Sequence, residues 1–121
     1  MKLILKSKQD YGTYIDEFVE EFPCSVSKYD ESLKIEFENG TITIEENKII
    51  QQRGENKIII EPNKVNECDY ETEHGMFVLD IRGIEVNKTM KTTGSVAKAK
   101  YEILIVGVEP YINEIEILLE E

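Results

Sequence analysis

Five residues could meet a ligand from a surrounding pattern that is otherwise apolar: Gln51, Arg53, Tyr70, Thr72 and Tyr101. Gln51 and Arg53 follow Ile49 at two-residue spacing, and residues two apart in a strand share a face. The same face carries Ile35, Phe37, Ile42, Ile44, Ile49, Ile58 and Ile60. Polar groups riding on an apolar track point to chemistry in the interior. A guanidinium there is a permanent cation whose planar fork suits a carboxylate or phosphate. A second reading stays open. Arg53 stands beside Gly54 at a strand end, where it would pair with a glutamate at the rim, because an unpaired buried cation is costly. Tyr70 and Tyr101 would then be core rings with satisfied hydroxyls.

Other chemistries find less support. Asp69, Glu71, Glu73 and Asp80 surround the single histidine, His74, but without the compact ligand spacing of a zinc or calcium site. The expectation is a solvated acidic face and no metal. There is no glycine-rich phosphate loop, nucleophile elbow or HExxH. No catalytic residue and no cofactor are expected, and the chain reads as non-enzymatic. Cys24 and Cys68 form no disulfide framework and read as the reduced thiols of a cytoplasmic protein. The net charge of −11 argues against nucleic acid and against anionic membranes as partners. The opening MKLILKSKQ is too short an apolar run for a signal peptide or a membrane span.

The elements that must position these residues are strands. The 121 residues make one domain. From Lys34 to Glu61, tight turns at Asn39-Gly40, Glu46-Asn47 and Gly54-Glu55 join four strands. The first turn pairs Phe37 with Ile42 and Ile35 with Ile44. The second pairs Ile44 with Ile49, and the third pairs Ile49 with Ile60 and Gln51 with Ile58. A further hairpin turns at His74-Gly75, pairing Thr72 with Phe77, Tyr70 with Leu79 and Cys68 with Ile81. It sets Asp69 against Asp80, an unfavourable like-charge pair. The inward phase flips after Ile81, which predicts a β-bulge at Arg82-Gly83. Lys2 to Lys8 is a first strand. Gly12 to Phe22 fits a strand or a short helix, because both of its tracks carry apolar residues. Pro23 interrupts it, and Ser25 to Tyr29 reads as a separate edge strand. Ala97, Ala99, Tyr101, Ile103 and Ile105 line one track of a long strand. Ile115, Ile117 and Leu119 face inward on the last. The sum is an all-β, up-and-down barrel of about eight to ten antiparallel strands.

The run IIQQRGENKIIIEPNKVNECDYETEHGMFVLDIRGIEV, with the later GSVAKAKYEILIVG, resembles the YwiB-like family of bacterial proteins of unknown function. The resemblance is carried by Arg53-Gly54, by Tyr70-x-Thr72-x-x-Gly75 and by Tyr101, and it spans residues 33–121 and, more weakly, the first strand. One departure is Asn87, where the family pattern leads one to expect threonine. What the resemblance implies is a calycin-like barrel, similar in architecture to lipocalins and streptavidin, and no particular activity. The functional expectation is a small anionic or amphipathic ligand held in the barrel by Gln51, Arg53, Tyr70, Thr72 and Tyr101. The alternative is an interaction module, self-associating through outward apolar residues centred on Ile50 and Ile59, with Val78, Leu104, Val106 and Leu118 as further outward candidates.

Overall fold

The computed structural model describes residues 1–89 and 91–121, with the side chain of Thr72 outside the described set. Ten strands run in chain order: β1 (Lys2–Asp10), β2 (Ile15–Tyr29), β3 (Ser32–Phe37), β4 (Gly40–Glu45), β5 (Lys48–Arg53), β6 (Asn56–Ile60), β7 (Val65–Thr72), β8 (Gly75–Lys88), β9 (Gly94–Leu104) and β10 (Tyr111–Glu120). Each of the nine ladders is antiparallel. The spatial order is β6-β5-β4-β3-β2-β1-β10-β9-β8-β7. That is the cyclic order of an up-and-down barrel, opened between β6 and β7.

The seam between β6 and β7 is closed largely by side chains. Asn56 acts as a piece of strand: its Nδ2 donates to the Glu71 carbonyl, and its Oδ1 accepts from the Glu71 N–H at 2.8 Å. Asn66 Nδ2 donates to the Ile59 carbonyl. Beyond them, the Gly83 backbone bonds the β6–β7 connection at Asn63 and Lys64. A side chain at Gly83 would collide with the Glu61 backbone. These contacts satisfy edge groups that would otherwise be exposed.

Inside, Leu3, Leu5, Ile35, Ile42, Ile44, Ile49, Ile60, Ile81, Ile117 and Leu119 are buried and form one continuous core. The alternation read from the sequence puts the right residues inward, but two hairpins are displaced. β3 pairs with β4 as Leu33–Ile44, Ile35–Ile42 and Phe37–Gly40, around a turn at Glu38-Asn39. Gly40 is therefore a strand residue with ordinary φ. It is needed because a Cβ there would run into the Gln52 carbonyl oxygen of β5. β7 and β8 pair Tyr70 with Phe77 and Cys68 with Leu79, around a turn at Glu73-His74. Asp69 thus faces Val78 rather than Asp80, and Asp80 faces Glu67. The turns at Glu46-Asn47 and Gly54-Glu55 give the expected pairs Ile44–Ile49, Ile49–Ile60 and Gln51–Ile58.

The second strand also corrects the sequence reading. Residues 15–29 form one continuous strand, with neither a helix nor a break at Pro23. Ile15 to Pro23 pair with β1, and Cys24 to Tyr29 pair with β3. Cys24 N–H bonds the Met1 carbonyl. Donors alternate sides along a strand, so the nitrogen of Pro23 points to the other edge, just beyond the start of the β3 ladder. The missing N–H costs nothing there. The bulge lies slightly later than expected, between Gly83 and Glu85: Gly83 is buried, Ile84 and Glu85 both face out, and Val86 turns back in.

Candidate functional site

At one end of the barrel the apolar core gives way to a cavity of about 510 Å³. It is walled by Ile58 of β6, Leu79 and Ile81 of β8, Ile103 of β9 and Ile115 of β10, with Ile105 and Val108 from the following loop. This volume lies within the range typical of small-molecule sites, about 300–1,000 Å³. Gln51, Arg53, Tyr70 and Tyr101 all line it. Thr72 lies in β7 opposite Gly75, and its side chain falls outside the described residues.

Arg53 sits at the end of β5 and reaches past the short β3–β4 hairpin to β2. Its Nη1 and Nη2 donate to the two carboxylate oxygens of Glu20 at 3.3 and 3.2 Å. The guanidinium lies 5.8 Å from the Phe22 ring centre and 5.9 Å from that of Phe37, so cation–π attraction helps to hold it. The pairing with a glutamate is the second of the two arrangements that its position in the sequence left open. Arg53 Nε is buried with no hydrogen-bond partner among the described residues.

Deeper in, Tyr101 of β9 and Asn113 of β10 are cross-strand partners. They are 4% and 6% exposed. Asn113 Nδ2 donates to the Tyr101 hydroxyl at 3.1 Å, and Asn113 Oδ1 finds no protein partner among the described residues. Burial pushes the Tyr101 hydroxyl pKa up, against a smaller opposing effect of the Asn113 hydrogen bond. The hydroxyl therefore keeps its proton. A buried amide with an unpaired end is a costly arrangement for a core.

Asn113 and Glu20 are the residues that sequence reasoning missed. Asn113 shares the track of Ile115, Ile117 and Leu119, so the rule that singled out Gln51 would have found it. Glu20 gave no such signal, because the phase of its strand was unclear.

The mouth is aromatic. Tyr11 stacks on Tyr14 and on Tyr111, with ring centres 4.7 Å apart in both pairs. Its hydroxyl donates to Gln9 Oε1 at 2.6 Å. Tyr70 and Phe77, opposed across β7 and β8, are partly exposed beside it.

The remaining expectations fall on the outside. Ile50 and Ile59 face each other across β5 and β6, outward and half-buried. Val78 is exposed, Leu104 and Leu118 are half-buried, and Val106 is fully exposed in the loop after β9. No group of three or more histidines, cysteines or acids gathers for a metal among the described residues. His74 lies 3.8 Å from Glu73, and both are well exposed. Cys24 and Cys68 are free thiols, and burial raises both pKa values. Among the described residues no helix is long and apolar enough to cross a membrane.

No protein-family model matches this chain, and no curated protein matches it. Among solved structures, the crystal structure of the YwiB protein from Bacillus subtilis is similar. The match covers 99% of this chain and 91% of that one, with a TM-score of 0.58 and 14% identity. At that identity the likeness is one of fold: an all-β, nearly closed ten-stranded antiparallel sheet of YwiB-like architecture.

Proposed function

We propose that this protein is a non-enzymatic, calycin-like barrel of the YwiB-like family that binds a small amphipathic molecule in its interior. The observation that carries the reading is the cavity of about 510 Å³ with the buried Tyr101–Asn113 pair in its wall. Apolar walls supply the affinity, and the few polar groups supply orientation. Gln51, Arg53, Tyr70, Thr72 and Tyr101 are the contact residues proposed from the sequence, and Asn113 joins them. An anionic head group has less support than an amphipathic one, because Glu20 already neutralises Arg53. The free thiols suit a reducing, cytoplasmic setting.

The test is titration with N-phenyl-1-naphthylamine, a neutral dye that brightens in apolar surroundings. Wild type is expected to give a saturable rise. Ile105→Trp, which projects a larger ring into the cavity, should weaken binding at least about tenfold while keeping the strand signal in circular dichroism. No rise, or an equal rise in both proteins, sinks the reading.

The apposed Ile50 and Ile59 support a second reading, self-association through the outer face of β5 and β6. Under it, wild type sediments as a dimer or larger and Ile59→Asp as a monomer. A monomer in both cases removes it.

A further inference from the structure

We infer that the interior selects an uncharged head group that donates and accepts hydrogen bonds side by side, of which a carboxamide is the simplest. The inference rests on the lumen-binding reading and adds the chemical class of the ligand.

The argument is a count of hydrogen-bonding capacity. Several polar groups lining the cavity are already engaged. Both amide atoms of Asn56 bond the Glu71 backbone. Gln9 Oε1 accepts from Tyr11. The two terminal nitrogens of Arg53 hold Glu20. The Tyr101–Asn113 pair is different, because it forms one internal bond and keeps capacity on both sides. With Asn113 Nδ2 donating to Tyr101, the tyrosine O–H is left as a donor and Asn113 Oδ1 as an acceptor. Turning the amide over does not alter the outcome. Tyr101 then donates to Oδ1, and the amide N–H bonds and the tyrosine lone pair remain. Either way a donor and an acceptor stay unpaired side by side, within a residue pair less than a tenth exposed that lines the cavity.

A carboxamide matches that couple, offering a carbonyl to the hydroxyl and an N–H to the amide oxygen. A carboxylate does not. It accepts only, so it meets the lone pairs of Asn113 Oδ1, and it must compete with Glu20 for Arg53. The chain's net charge of −11 adds a repulsive field. A ketone satisfies the hydroxyl and leaves the amide oxygen unpaired. The rings of Tyr70, Phe77 and Tyr111 in the lining suit a flat apolar body.

The experiment compares three probes of one shape at pH 8: 2-naphthamide, 2-naphthoate and 2-acetonaphthone, each competing with N-phenyl-1-naphthylamine. The amide should bind at least about tenfold more tightly than either of the others, because a site built to pair a polar group rejects analogues that lack it. Asn113→Leu should lower the amide to the level of the ketone, read as the ratio of the two affinities within the same variant. If Asn113→Leu does not fold, Tyr101→Phe supplies the same comparison. Equal binding of the three probes, stronger binding of the naphthoate, or a preference that survives in the variant overturns the inference while dye binding still stands. Absence of dye binding by wild type is a different failure, and it removes the lumen reading itself.

Discussion

At the scale of single residues, Tyr101 and Asn113 trade stability for recognition. Tyr101→Phe leaves both ends of a buried amide unpaired, so it should destabilise the protein by about 1–3 kcal/mol. Replacing both partners, as Tyr101→Phe with Asn113→Leu, should recover most of that loss, since an apolar pair of similar shape leaves nothing unsatisfied. Urea unfolding of wild type, the single variant and the double variant reads this directly. The same tyrosine sets an alkaline limit. Its folded pKa is raised above the ordinary value of 10.0. Once the pH passes about 10, an unfolded chain loses a phenolic proton that the folded chain keeps, so stability falls as pH rises. Tyr111 and Tyr11 are shifted the same way, mainly by desolvation. Melting temperatures from about pH 9 to about pH 11 should fall less steeply in Tyr101→Phe than in wild type. Asn113 was legible as a polar residue on an apolar track. Its unpaired oxygen was not, because partner geometry depends on which residue β9 sets opposite β10.

At the scale of elements, the sequence pattern held by face and slipped by register. Two hairpins are displaced by two residues, and Ile35, Ile42, Ile44, Cys68, Leu79 and Ile81 are still buried because the side-chain period is also two. In the β3–β4 hairpin the error came from what the glycine is for. Gly54 occupies a turn with φ +58. Gly40 occupies a strand and makes room for the Gln52 carbonyl. Composition cannot separate a demand for positive φ from a demand for closeness. The two roles predict opposite tolerances. Gly40→Ala should cost about 1–3 kcal/mol through forced backbone movement. Gly54→Asn should cost under about 1 kcal/mol, since asparagine accepts the left-handed region and nothing lies near its Cβ. Chemical denaturation of the two variants decides it, and equal losses would contradict the assignment. The first half of β2 was illegible for another reason. It pairs with β1 alone, and Ile15, Phe18 and Val19 are all exposed, so no alternation was there to read.

At the scale of the whole molecule, the order of strands has a consequence for engineering. Lys2 stands directly opposite Glu120, so the first and last strands are neighbours in the middle of the sheet. The ring is interrupted on the far side, where two asparagine side chains bridge β6 and β7. A circular permutant that joins the outer ends of β10 and β1 by a short linker, and opens the chain between Pro62 and Asn63, would run β7 through β10 and then β1 through β6. Each ladder would then connect strands adjacent along the chain, and the most distant pairing of the native order would become a local hairpin. Folding slows as contacts grow more distant in sequence. The permutant should therefore refold faster than its parent in stopped-flow dilution from urea. It should also unfold more readily, because the cut loosens the backbone bonds that tie Asn63 and Lys64 to Gly83.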